Sequence, residues 1–148
     1  MEWPLPAVRP DNEPMPVTAR PATSIDLARN LAVASLAMIQ IVVAGLGGSG
    51  ALGEDVGTVA RSYPTPVLPA GWTFGIWGVI YLAFLGYAVY QLLPTQRTRA
   101  VHRATGWWLA ASAVLNMAWV AAFSARYVLL AEVLLLALLG VQARVYVR

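Results

Sequence analysis

From Ser62 to Gln96 no side chain carries a formal charge, and the stretch from Trp72 to Leu93 is apolar and long enough to cross a bilayer. At 1.5 Å per residue, about 20 helical residues cover the roughly 30 Å hydrocarbon core. A helix pairs its backbone polar groups within one segment, as that medium demands. Three more apolar runs share this character, and together they predict an all-α, multi-pass transmembrane helical bundle with spans at about 27–46, 72–93, 106–124 and 127–143. The two-residue link Ala125-Arg126 makes the last two spans antiparallel neighbours, and the leucines from Leu129 to Leu139 read as lipid-facing. With 59% hydrophobic and only 11% charged residues, the chain has too little polar surface for an ordinary soluble domain.

Ahead of the spans, residues 1–23 hold Pro4, Pro6, Pro10, Pro14, Pro16 and Pro21 among scattered charges. Such a segment breaks helices and cannot bury a core, so a disordered tail is expected, followed by one transmembrane domain over 24–148. Ser24 and Asp26 are candidate N-caps for the first span, whose one strongly polar interior residue is Gln40. The first thirty residues lack a continuous apolar stretch, so no cleavable signal peptide is expected. Between the first two spans, a Gly- and Pro-rich segment from Gly47 to Gly71 reads as a long loop of the kind that covers a site.

All the basic charge is arginine. Arg9, Arg20, Arg29, Arg97, Arg99, Arg103, Arg144 and Arg148 fall on one side of the predicted spans, against Arg61 and Arg126 on the other. This bias places both termini and the second connecting loop in the cytoplasm, in the plasma membrane if the source is bacterial. Arginines dispersed in this way do not form a nucleic-acid-binding face. Without cysteine there is no disulfide or thiolate chemistry, and His102 has no second histidine or nearby acid with which to hold a metal. No nucleophile with a matched base is visible, so an enzyme is not expected.

Two helical stripes stand out. On the second span Phe74, Trp77, Tyr81 and Phe84 recur at intervals of three and four, with Gly75, Gly78 and Gly86 on nearby faces suited to close helix approach. On the third, Trp108, Ser112, Asn116, Trp119 and Phe123 share a face, beginning near the interfacial pair Trp107 and Trp108. An amide within a bilayer needs a partner, so Asn116 is expected to face the bundle. Both stripes fit either helix packing or a wall against a flat apolar ligand. Glu132, the one acid within the spans, is a candidate for proton or cation coupling, or for an interfacial hydrogen bond.

The segment Pro69-Ala70-Gly71-Trp72-Thr73-Phe74, followed by Trp77 and Ile80-Tyr81, resembles the second-helix motif of the tryptophan-rich sensory protein/translocator protein (TspO/MBR) family. Leu115-Asn116-Met117-Ala118-Trp119 through Phe123 is similar to that family's third-helix signature, and the likeness extends over about residues 30–148. It implies an integral membrane protein that binds a porphyrin, haem-like or sterol-like ligand for transport, sensing or stress response. By motif, the implied pocket residues are Trp72, Phe74, Trp77, Tyr81, Asn116, Trp119 and Phe123. Here Trp72 and Trp77 are five apart, against six in most of the family, which turns one ring by about 100° on a helix. The family has five helices and four spans are read here, so the resemblance also implies a pocket open on one side, completed by a second copy in a homo-oligomer, or lost in a truncated chain. In the alternative function, the aromatic faces only pack helices together.

Overall fold

The computed structural model describes residues 21–66, 68 and 70–147, so most of the expected N-terminal tail lies outside the described residues. Among the described residues four helices are long and apolar enough to cross a membrane, and no strand occurs. The first, α1 (Ser24–Gly48), starts at a capping box whose N-cap is Thr23, one residue before the candidate Ser24, with the other candidate, Asp26, as its N3 partner. Asp26 N–H donates to Thr23 Oγ1 at 3.2 Å and Thr23 N–H to Asp26 Oδ2 at 3.1 Å, satisfying two donors that a helix start leaves open.

In the long loop Asp55 caps a short helix, α2 (Val56–Arg61), by accepting from Thr58 N–H at 2.9 Å. The second span opens as a 3₁₀ turn over Gly71–Gly75 before continuing as α3 (Ile76–Tyr90), three residues short of the expected end at Leu93. Its 20 residues still reach about 32 Å, because the 3₁₀ turn rises faster per residue.

Next, α4 (Ala100–Ser124) begins six residues before the expected start at Gly106 and absorbs part of the arginine-rich linker. Of the linker arginines, Arg103 is neutralised by an acid of α1. Arg103 donates to both Asp26 oxygens, at 2.9 and 2.6 Å, and Arg29 donates to Asp26 at 2.9 Å. His102 Nδ1 lies 2.8 Å from Tyr87 Oη. Asn30 donates to the Gln91 carbonyl at 2.8 Å, tying the end of α3 to α1.

A three-residue turn leads to α5 (Val128–Tyr146). Arg126 takes φ 63°, and the N–H groups of Tyr127 and Arg126 close on the carbonyls of Ala122 and Phe123, which is a Schellman stop.

α4 is the hub, packing along both α1 and α5, whereas α3 packs mainly on α1. The seams are lined with small residues. Ala37, Ala88 and Ala110 are buried with Val33 in one cluster, and Ala122 and Ala131 with Trp119 and Val120 in another. Small side chains let helices approach closely where lipid supplies no hydrophobic drive between them. Gly47 against Val120 and Gly106 against Arg29 are the close approaches, since a Cβ at either would collide with those side chains. The expectation for Gly75, Gly78 and Gly86 is corrected: a Cβ at each meets nothing within 4 Å. On α5 only Ala131 is buried and the leucines point outward or lie half-buried, in keeping with a lipid-facing surface.

Candidate functional site

A cavity of about 540 Å³ opens between α1, α2, the 3₁₀ turn, α3 and α4. Its aromatic wall comes from three elements. The 3₁₀ turn supplies Phe74, α3 supplies Trp77 and Tyr81, and α4 supplies Trp119. Trp77 is the joint of this wall, with its ring centroid 5.5 Å from Trp119 and 6.0 Å from Tyr81, each pair tilted by 31°. Opposite, α1 contributes Ile41 together with Ala44, Gly45 and Gly48, small residues that leave the space open. The lid side is α2, with Asp55, Val56, Gly57 and Arg61.

The expected site residues fall into three groups. Phe74, Trp77, Tyr81 and Trp119 line the cavity together. Phe123 and Asn116 stand behind them. Phe123 stacks on Trp119 at 5.9 Å and 23°, and Asn116 Nδ2 donates to Tyr81 Oη at 3.1 Å. That bond meets the expectation that the amide faces inward with a partner, and it orients the phenol of a residue that is only 7% exposed.

Trp72 does not join them: it is 83% exposed and does not line the cavity. Trp72 is a pocket residue only by the motif resemblance; its five-residue separation from Trp77 does not repeat a helical face, and in the 3₁₀ turn it is exposed. Phe84 packs against the Val33–Ala110 cluster, and Trp108 lies on the outer surface. Glu132 is exposed on α5 and makes no hydrogen bond or ion pair among the described residues.

Sequence reasoning missed the α1 and α2 walls. The signal for α2 was present in Asp55, whose N-cap spacing to Thr58 marks a helix start inside the loop. The loop is held in place at its base. Arg126 donates two bonds of 2.7 Å to the Glu54 carboxylate and one of 3.2 Å to Ser62 Oγ, while Glu54 N–H donates to the Ser124 carbonyl at 3.0 Å. The Arg126 guanidinium holds the Glu54 carboxyl below the usual carboxylate range, and hydrogen bonds from Thr58 do the same for Asp55. Among the described residues no group of three His, Asp or Glu gathers to hold a metal.

Four bilayer-length helices, three of which line an aromatic cavity near one end, define a polytopic helical membrane protein with a pocket of ligand size. The sequence pattern of the family described as TSPO-like protein matches residues 30–148, and the chain belongs to that family. No curated protein and no solved structure matches the chain.

Proposed function

We propose that this membrane protein binds a flat, largely apolar ligand, porphyrin or sterol-like, in the cavity beneath α2, in the service of transport, sensing or stress response. One observation carries the reading: the indoles of Trp77 and Trp119, on separate helices, form one wall of a 540 Å³ cavity whose facing side is kept clear by Ala44, Gly45 and Gly48. Small-molecule pockets of about 300–1,000 Å³, mostly apolar with a few polar groups, are of this kind. Flat rings stacking on indoles gain about 0.5–1.5 kcal/mol per pair beyond the area they bury. Phe74, Trp77, Tyr81 and Trp119 would touch the ligand, while Asn116 and Phe123 would hold Tyr81 and Trp119 in position. The chemistry is binding rather than catalysis.

The arginine bias supports cytoplasmic termini, which puts the α2 lid and the cavity mouth toward the opposite face of the membrane. A coupling role for Glu132 would show as pH-dependent uptake in vesicles that Glu132→Gln abolishes, and unchanged uptake would discard that role.

The test of the pocket is quenching of tryptophan emission by a free-base tetrapyrrole in detergent. Trp77→Ala with Trp119→Ala should weaken binding tenfold or more, roughly 1.4 kcal/mol per factor of ten. Equal responses from wild type and the double variant would reject the pocket.

A further inference from the structure

A second cavity, of about 110 Å³, lies behind the aromatic wall, bounded by residues of α1, α3, α4 and α5. Trp77 and Tyr81 form the partition, since they line both cavities. The two spaces differ in chemistry. The smaller one collects Gln40, Ser112, Asn116 and Gln142 at one place and includes no formally charged residue.

Gln40 is 5% exposed and makes no hydrogen bond among the described residues, although both ends of its amide need a partner in a bilayer interior. Asn116 spends one amide hydrogen on Tyr81 Oη, which leaves its own Oδ1 and the phenolic proton without a partner among the described residues. Ser112 already donates to the Leu109 carbonyl at 2.8 Å. Unmet donors and acceptors therefore face one small space. An ion would find no counter-charge there, and a purely apolar group would leave the amides unpaired. A hydroxyl both donates and accepts at a single neutral atom, which matches what the wall offers.

We propose that this cavity is a separate binding site for an uncharged hydroxyl, supplied either by water or by an alcohol entering from the bilayer between α3 and α5. Entry from that side is open because α3 packs mainly on α1, and Ile80 and Gln142 at the rim are exposed. The volume suits a few water molecules or the head of one alcohol. The site stands apart from the flat-ligand reading, and either can fail without the other.

Wild type and Gln40→Leu in lipid nanodiscs are compared for tryptophan quenching by a brominated long-chain primary alcohol and by the brominated alkane of equal length. For an alcohol occupant, the alcohol quenches wild type at several-fold lower mole fraction than the alkane, and Gln40→Leu removes the difference. For a water occupant the two probes quench alike, and solid-state NMR finds magnetisation transfer from bound water to the Gln40 and Asn116 side-chain amides in wild type. Absence of both an alcohol preference and bound water overturns the proposal. Helical circular dichroism and a thermal unfolding transition like that of wild type establish that Gln40→Leu is folded. If it is not, Gln142→Leu at the rim is read for the same difference.

Discussion

Tyr81 joins the two cavities, and its hydroxyl is the smallest unit on which the account can be tested. The Asn116 bond to Tyr81 Oη spans 35 positions of sequence and links α4 to α3. Hydrogen bonds between membrane helices average about 0.6 kcal/mol in double-mutant cycles, with a ceiling near 1.7. A cycle of Tyr81→Phe and Asn116→Ala, read by unfolding in mixed micelles, should return a coupling in that range. A coupling of zero would mean that the bond does not orient the phenol. Spacing places Trp77 with Tyr81 on one stripe and Asn116 with Trp119 on another, because all four sit in regular helix where a 3.6-residue repeat holds; that the two stripes share a pocket is implied only by the motif resemblance. Trp72, implied by that resemblance and not by spacing, lies in the 3₁₀ turn and is exposed. Gln40 was noticed only as a polar residue in an apolar run, since its neighbours Ser112, Asn116 and Gln142 are distant in sequence.

At the scale of elements, glycines divide by what stands opposite them. A Cβ on Gly47 would collide with a Val120 methyl, and valine in a helix has one strongly preferred rotamer and cannot swing away. Gly47→Ala should therefore cost about 1–3 kcal/mol, as overpacking does. Gly86→Ala meets nothing within 4 Å and should be neutral or add up to about 1 kcal/mol through helix propensity. Thermal denaturation of the two variants in one detergent checks the contrast, which reverses what motif spacing suggested for α3. Such contacts are invisible in sequence because they depend on which helices become neighbours. Helix ends are readable where a local signal exists, as at the short turn before α5; at α1 the candidates Ser24 and Asp26 mark the region, but the cap itself is Thr23. The start of α4 is not readable in this way, because Asp26 neutralises Arg103 from 77 positions away.

For the whole molecule, four spans and their order followed from hydropathy, whereas the lid and its anchorage did not. The Glu54–Arg126 pair, with the backbone bond from Glu54 to Ser124, pins the loop that carries α2 to the α4–α5 turn. Glu54 has a folded pKa below its ordinary 4.5, so its contribution is complete above that pH and is lost as pH falls through the depressed value. Stability and tetrapyrrole affinity should both decline on acidification below about pH 4.5. Glu54→Gln should show a flatter profile, and identical profiles would remove the clamp from the account.

The central claim is that a flat ligand occupies the space between α1, α3 and α4 beneath α2. The chain has no cysteine, so a single one can report on that space. Gly78 lines the cavity and Gly86 lies two turns further along α3 outside it, and a Cβ fits at both. Alkylation rates of Gly78→Cys and Gly86→Cys with a membrane-permeant maleimide, measured with and without a tetrapyrrole, locate the ligand directly. Protection at position 78 with an unchanged rate at 86 is the predicted result; equal rates at both positions with and without ligand would contradict it.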